Sequence, residues 1–286
     1  MTNQKLDKIR QKIFDLAREF YEASYPPKTF SPGVDYIPVS GKVIDSSELI
    51  NSIDAALDMW LTAGRHAQQF ERKLARFMNV RHAILCNSGS SANLLALSAL
   101  TSDKLGNSKL VPGDEIITVA AGFPTTVNPI IQNNLIPVFI DTELGYYNPS
   151  VESVANAITS KTRGIFIAHT LGNPYDSLEI RKIADQYNLW FIEDNCDALG
   201  STIDNQLTGT FGDLSTLSMY PAHHITTGEG GSVFTNNPSL KVLVESYREW
   251  GRDCWCDPGK DDTCGKRFHW QFENLPFGYD HKYVYS

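Results

Sequence analysis

The amino-acid sequence predicts an α/β protein built around a mostly parallel sheet. Two observations predict this class: short apolar runs recur along the chain, and segments of helical periodicity separate them. The runs predicted to be strands are 82–86, 115–120, 137–141, 164–169 and 189–193. In such sheets, phosphate and cofactor sites gather where the parallel strands end. We therefore expect functional residues just beyond these runs.

Amphipathic helices are predicted ahead of the first strand. Apolar residues recur at three- and four-residue steps over 6–20 and again over 49–60, which indicates two helices. The stretch 26–33, which contains prolines and a glycine, separates them. A third apolar stripe of the same kind runs over 70–77.

The composition is that of a globular chain with a sizeable core. Of 286 residues, 42% are hydrophobic and 20% are charged. The chain opens with polar residues, and no apolar run approaches the roughly 20 residues that span a bilayer, so we expect a cytoplasmic protein without a membrane partner. The net charge of -8 argues against broad nucleic-acid binding.

We expect three segments: an N-terminal helical segment at 1–40, a large domain at 41–250 and a cysteine-rich segment at 251–286. Cysteine, glycine and aspartate crowd the start of the last segment, which therefore needs a cross-link or a metal to be ordered. The chain stops at Ser286 without a terminal helix, so we expect it to be truncated.

Two strand ends carry candidate binding residues. Gly89 and Ser90 follow the first predicted strand and open a helical run, where backbone N–H groups and hydroxyls favour a phosphate. An ordinary strand-to-helix turn has the same pattern. Asp194 ends the buried run 189–193, and an aspartate there either pairs with a cationic ligand or caps the next helix.

The segment 218–231 carries a family resemblance. It resembles the Ser-x-x-x-x-Lys-x-x-x-x-Gly-Glu-Gly-Gly motif of the sugar aminotransferases that depend on pyridoxal 5'-phosphate (PLP), except that His223 stands in place of the lysine. Residues 192–200 resemble the Ile-Glu-Asp-x-x-(Gln/His)-x-x-Gly motif of the same family. From about residue 40 onward, these motifs occur in the family's order.

The resemblance implies a fold and a set of cofactor contacts. The fold is that of the fold type I, aspartate aminotransferase-like transferases, and 41–250 is its cofactor-binding large domain, with a C-terminal small domain missing from this chain. By resemblance, the cofactor contacts comprise a ring-nitrogen partner, a stacking aromatic, three phosphate contacts and a residue near the ring hydroxyl, which are Asp194, Phe123, Gly89, Ser90, Ser218 and Asp197 in turn.

His223 decides which form of the cofactor fits. Only a primary amine forms a Schiff base with the PLP aldehyde, and no lysine occurs between Ser201 and Leu240. We therefore expect the amine form, pyridoxamine 5'-phosphate (PMP), held without a covalent bond. His223 is a competent general base near neutral pH, although a relative that lost its lysine and its activity would show the same substitution.

Four of the five cysteines are spaced as a candidate metal site. After Cys196 and 57 intervening residues come Cys254, Cys256 and Cys264. Such clustered thiolates in the cytoplasm favour zinc or an iron–sulfur cluster. Cys86 is expected to be a buried core thiol. The spacing resembles that of the CDP-6-deoxy-L-threo-D-glycero-4-hexulose-3-dehydrase family, which implies a [2Fe-2S] cluster on these four residues.

That resemblance also implies a reaction. The expected activity is PMP-dependent loss of the C3 hydroxyl from a CDP-4-keto-6-deoxyhexose, followed by reduction, in the synthesis of 3,6-dideoxysugars for lipopolysaccharide O-antigen. An NADH-dependent flavin and iron–sulfur reductase is the implied partner, and a homodimer the implied assembly. Two alternatives stay open: a cluster-free 3-dehydratase with structural zinc, and a catalytically silent scaffold subunit.

Overall fold

A computed structural model describes residues 3–38, 40–249, 251, 256 and 263–265. The chain divides into two compact units, Met1–Gln68 and Gln69–Ser286. The three segments expected from the sequence stay a prediction. Among the helices so described, none combines the length and the apolarity needed to cross a membrane.

The first unit is built on two helices, as predicted. Helix α1 spans Asn3–Ser24 and packs on α2, which spans Ser46–Leu57. Asp45 caps α2 through a capping box with Glu48, which satisfies free N–H groups of its first turn. Helix α3, at Arg65–Phe77, covers the third predicted stripe and leads into the second unit.

Ion pairs hold the helices of the first unit together. Arg10 of α1 contacts both Asp54 and Asp58 of α2. Arg65 of α3 donates to the same two carboxylates, at 2.5 Å and 2.6 Å. Little apolar burial accompanies this network, because Ala17 is the only residue of α1 or α2 described as buried.

The second unit contains a seven-stranded sheet in the order β1-β9-β8-β5-β4-β2-β3. Its strands are β1 His82–Cys86, β2 Glu115–Val119, β3 Ile136–Ile140, β4 Thr162–Ala168, β5 Trp190–Asp194, β8 Leu214–Ser218 and β9 Gly231–Thr235. Only β9 runs antiparallel to its neighbours. The five predicted strands are confirmed, while β8 and β9 were not predicted. A separate hairpin pairs β6 Thr202–Ile203 with β7 Gln206–Leu207.

Helices cover both faces of the sheet. They are α4 Gly89–Ala99, α5 Pro124–Gln132, α6 Val151–Asn156, α7 Ser177–Tyr187 and α8 Pro238–Arg248. Adjacent strand residues point into opposite cores: Ile116 packs with residues of α4, α5 and α8, whereas Ile117 packs with residues of α6 and α7. This burial on both sides is what gave the strands their continuous apolar runs.

The strand directions bring all seven strands to one edge of the sheet. Strands β1, β2, β3, β4, β5 and β8 end there, and β9 begins there because it runs the opposite way. The candidate residues of the sequence analysis lie in the segments that follow these ends. Cys86, at the end of β1, packs against the core and donates its thiol hydrogen to the Ser88 carbonyl at 3.3 Å. Burial raises the pKa of this thiol to about 11, which fits a core role.

Candidate active site

The start of α4 and the β8–β9 pair meet so closely that only glycine fits between them. Ser88 caps α4 by accepting the Ser91 amide at 3.1 Å. A Cβ atom added to Gly89 would lie 2.5 Å from the Cβ of Ser218, and one added to Gly231 would lie 2.1 Å from the Ser88 carbonyl oxygen. The missing side chains let backbone N–H groups of a helix N-terminus stand beside the hydroxyl of Ser218.

These contacts form a candidate anion site. Gly89 and Ser218 are buried, whereas Ser90, in the first turn of α4, is exposed. Ser218 is the last residue of β8 and lies at the carboxyl edge of the sheet. Its Oγ accepts the Tyr220 amide at 3.3 Å. A phosphate placed here would meet hydroxyls and the positive end of a helix dipole.

Asp194, at the end of β5, is a buried carboxylate held by several donors. It is 4% exposed. Its Oδ2 accepts from Asn93 Nδ2 at 2.8 Å and from Thr126 Oγ1 at 2.7 Å. Its Oδ1 accepts the Cys196 amide at 3.2 Å. These contacts join β5 to α4 and α5, so the carboxylate does more than cap a helix.

Asp197 and His223 form a second pair at the same edge. His223 Nδ1 lies 3.2 Å from Asp197 Oδ1, and neither side chain is fully buried. His223 sits in the segment between β8 and β9, where its amide donates to the Tyr220 carbonyl at 2.9 Å. A carboxylate beside Nδ1 favours a proton on that nitrogen, which leaves Nε2 as the acceptor.

Phe123 presents an aromatic face at the start of α5. It is the N-cap residue of that helix, with Pro124 behind it as the first helical residue. Its side chain is 68% exposed, so it does not belong to the core. An exposed aromatic ring beside a polar site can stack on a flat ligand.

The residues gathered here fit a phosphorylated heteroaromatic cofactor. The glycine contact brings the N-terminus of α4 against the Ser218 hydroxyl, Asp194 supplies a buried carboxylate for a ring nitrogen, and Phe123 supplies a stacking face. The sequence analysis named each of these residues. Asn93, Thr126 and Thr216 were not predicted, although each lies within four positions of a predicted residue.

The cysteines give a different picture. Burial, together with the charge of Asp194, raises the pKa of the Cys196 thiol well above its ordinary value. The sulfur atoms of Cys256 and Cys264 lie 3.3 Å apart, while Cys254 lies outside the described residues. Within that described part, no three His, Cys, Asp or Glu side chains gather as metal ligands. Because Cys254 lies outside that part, the predicted four-cysteine site stays a prediction.

A buried pair behind the site was also missed by the sequence analysis. His169 Nε2 lies 3.1 Å from Glu193 Oε1, and neither side chain is exposed. Glu193 also accepts the amides of Gly209, Phe211 and Gly212 at 3.0, 2.8 and 2.7 Å. His169 stacks on Tyr175 with ring centroids 4.1 Å apart. This network anchors the loop after β7 to β5 and supports the strand that carries Asp194.

Comparison with known proteins places this site in a family. Residues 43–271 match the DegT/DnrJ/EryC1/StrS aminotransferase family. The lipopolysaccharide biosynthesis protein RfbH of Salmonella typhimurium is 57% identical over 97% of this chain and 64% of its own length. The dTDP-4-dehydro-2,6-dideoxy-D-glucose 3-dehydratase of Saccharopolyspora spinosa is 53% identical over 97% of this chain and 60% of its own length. This chain therefore spans less than two thirds of either relative.

Solved structures agree in fold. The E. coli GDP-4-keto-6-deoxy-D-mannose-3-dehydratase with bound hydrated PLP superposes with a TM-score of 0.71 at 33% identity, over 76% of this chain and 55% of that one. The ntda protein of Bacillus subtilis with bound cofactor PMP gives a TM-score of 0.69 at 27% identity, over 83% of this chain and 53% of that one. The predicted fold type I, aspartate aminotransferase-like architecture is confirmed.

Proposed function

Because the chain belongs to the DegT/DnrJ/EryC1/StrS aminotransferase family, we propose that it is an enzyme that removes the C3 hydroxyl of a nucleotide-linked 4-keto-6-deoxyhexose with the help of PMP. One observation carries this proposal. The family motif places a lysine where this chain has His223, and the structure pairs His223 with Asp197 at 3.2 Å. The names of the relatives, two of which are sugar-nucleotide 3-dehydratases, support the same reaction.

The candidate site supplies noncovalent contacts for the cofactor. Asp194 would pair with the ring nitrogen, Phe123 would cover the ring, and Gly89, Ser90 and Ser218 would hold the phosphate. When bound, PMP supplies an amine that reacts with a ketone and a cationic ring that withdraws electrons. The protein contributes position, charge and a base.

His223 is the proposed base. An imidazole transfers protons near neutral pH but cannot replace an amine in covalent bonding. Asp197 Oδ1 lies 3.2 Å from Nδ1, so that Nε2 is the nitrogen left for the substrate side. This role for Asp197 differs from the position near the ring hydroxyl that the sequence analysis expected, and the two roles are compatible in one site.

The nucleotide and the pathway are finer proposals. We propose a CDP-linked substrate and a role in 3,6-dideoxysugar synthesis for lipopolysaccharide. The relative from Salmonella typhimurium is named for lipopolysaccharide biosynthesis, which supports the pathway. Other relatives carry dTDP or GDP in their names, so the base of the nucleotide must be tested directly with CDP-, dTDP- and GDP-linked sugars.

The [2Fe-2S] cluster and its reductase are also proposals. Cys256 and Cys264 bring two sulfurs within 3.3 Å, which is the contact that supports a shared ligand. Within the described residues, no three His, Cys, Asp or Glu side chains gather as metal ligands, so the proposed cluster depends on Cys254 as well. The NADH-dependent reductase, the homodimer, the cytoplasmic location and the three-segment organisation belong to this same set of proposals.

Replacement of His223 tests the proposed function. We expect His223→Asn to slow PMP-dependent loss of the C3 hydroxyl by about 10²- to 10⁴-fold, the usual contribution of a general base. The matched control is His224→Asn, because His224 is the exposed neighbour in the same segment. Product is measured by mass spectrometry with PMP and a reductant present. Unchanged turnover in His223→Asn removes this residue from the mechanism, and absence of turnover in the unsubstituted protein supports the scaffold alternative.

A further inference from the structure

We propose that Asn93 and Thr216 are positioning residues, which orient the Asp194 carboxylate toward the cofactor ring. This inference rests on the proposed function, because it assumes that Asp194 is the partner of the ring nitrogen. It adds two residues that had no predicted role: Thr216, and Asn93, which lies four residues after Gly89 and 101 positions from Asp194.

The contacts form a directed chain. Thr216 Oγ1, on β8, donates to Asn93 Oδ1 at 2.6 Å. Asn93 Nδ2, on α4, donates to Asp194 Oδ2 at 2.8 Å and to the Thr125 carbonyl at 3.1 Å. Because the Thr216 hydroxyl occupies the amide oxygen, the NH₂ group of Asn93 must face Asp194. Thr216 thereby sets which way the amide points.

The chain fixes one carboxylate oxygen and leaves capacity on the other. Oδ2 receives two donors, from Asn93 and Thr126, and so fills its two acceptor positions. Oδ1 accepts one backbone amide, that of Cys196, at 3.2 Å. The Cys196 thiol also hydrogen-bonds the Asp194 carboxylate, and a ring nitrogen would take the place of this weak donor. A protonated ring nitrogen is a donor of the required kind.

Burial makes this arrangement sensitive to the loss of one member. Asn93 is 1% exposed and Thr216 is not exposed. A buried polar group that loses its partner retains the cost of removal from water, and the remaining groups reorient to recover a hydrogen bond. Apolar side chains would join α4, β5 and β8 equally well, whereas donors that converge on one carboxylate hold a functional group in place.

A matched pair of substitutions at Thr216 tests the proposal. Thr216→Val keeps the shape and removes the hydroxyl, whereas Thr216→Ser keeps the hydroxyl. In the full chain, we expect Thr216→Val to weaken PMP binding by about tenfold, equal to about 1.4 kcal/mol, and to change the absorption spectrum of bound PMP, which reports the state of its ring. Thr216→Ser is expected to retain the wild-type affinity and spectrum. Asn93→Leu should reproduce the loss seen in Thr216→Val.

Further arms separate this inference from the proposed function. Circular dichroism and thermal unfolding confirm that each variant is folded, and the Thr216 pair keeps the test valid if Asn93→Leu does not fold. Wild-type PMP affinity in Asp194→Asn would overturn the cofactor assignment itself. Weak binding in Asp194→Asn beside normal binding and spectrum in Thr216→Val would overturn the positioning role alone. Equal losses in Thr216→Val and Thr216→Ser would also overturn it, because the hydroxyl would not be the active group.

Discussion

His223 and Asp197 show how one residue changes what a site can do. In the motif that this chain resembles, a lysine tethers the cofactor, whereas here an imidazole is held by a carboxylate 3.2 Å from Nδ1. The pair has three features of a general base: a proton acceptor, a neighbouring carboxylate and partial access to solvent. Its activity depends on orientation as well as on the identity of the base.

Asp197→Asn tests that orientation. The amide keeps the size of the side chain but removes its charge, so His223 loses its anionic partner. We expect kcat for C3 dehydration to fall by about tenfold or more, because small losses of alignment slow proton transfer, while PMP affinity changes little. Steady-state kinetics and a PMP titration measure the two effects. An unchanged kcat would show that the contact is incidental.

At this scale, the sequence indicated residue types but not their partners. Asp194, Phe123 and Gly89 were predicted because motifs mark them, and the structure brings them to one edge of the sheet. Asn93 and Asp194 lie 101 positions apart in the chain, so no local pattern predicts their hydrogen bond. Such partners become visible only when the sheet order is known.

The elements show the same division. The five predicted strands are mostly apolar, because helices cover both faces of the sheet. Strand β8 has the sequence Leu-Ser-Thr-Leu-Ser, and all five of its residues are buried. Its serine and threonine residues interrupt the apolar run that would indicate a central strand. The hydroxyl of Thr216 instead donates to Asn93 in the candidate site. Strand β9 begins with Gly231, and glycine is disfavoured in strands, so the sequence did not indicate a strand there.

The contact between α4 and β9 predicts a strong effect of one methyl group. Gly231→Ala would place a Cβ 2.1 Å from the Ser88 carbonyl oxygen, which is backbone and cannot move aside easily. We expect a loss of at least about 1–3 kcal/mol in the free energy of unfolding and weaker PMP binding. Gly41→Ala is the control, since a Cβ there meets no atom within 4 Å. Denaturant unfolding compares them, and equal stability would contradict this packing.

The ion pairs of the first unit predict a dependence on pH. Hydrogen bonds from Arg65 and Arg10 lower the pKa of Asp58 to about 2. Because the pKa of Asp58 is lower in the folded protein, its carboxylate stabilises the fold at pH values above the ordinary pKa of an aspartate. This stabilisation is lost as the pH falls through about 2. The difference in unfolding free energy between wild type and Asp58→Asn should therefore be constant near neutral pH and vanish in strong acid. Acid titration of chemical unfolding measures it.

A charge control completes that experiment. Asp7→Asn removes an exposed carboxylate from α1 and should change stability little at any pH. High salt should weaken the contribution of Asp58, because exposed ion pairs are screened. A difference that persists below pH 2 would show that the Asp58 side chain stabilises the unit by packing rather than by charge.

For the whole molecule, the open question is what the cysteines bind. The proposed cluster predicts iron and acid-labile sulfide in protein purified without oxygen, and Cys256→Ser should lower both. Cys86→Ala is the control, because the Cys86 thiol packs against the core. Elemental analysis and a visible absorption spectrum give the readout. Zinc without iron would support the cluster-free alternative, in which the second reducing equivalent comes from another source.

The sequence predicts the fold more completely than it predicts which metal the cysteines would bind. Alternating helices and strands predict the α/β class, and the motif order predicts the fold type I architecture that the solved relatives share. Cysteine spacing determines neither the geometry of a metal site nor the identity of the metal, since thiolates bind several different metals. Distances between Cys196 and the later cysteines depend on how the chain beyond Glu249 folds.

The reversed direction of β9 has a consequence for how this protein acquires its chemistry. Residues 219–230 leave the sheet at the end of β8 and rejoin it at the same edge, at the start of β9. His223 therefore lies in a connecting segment and not in a strand of the sheet. A side chain in such a connecting segment can change while the strands of the sheet stay the same. Under the proposed function, exchange of lysine for histidine at this position would replace transamination by deoxygenation on the same fold.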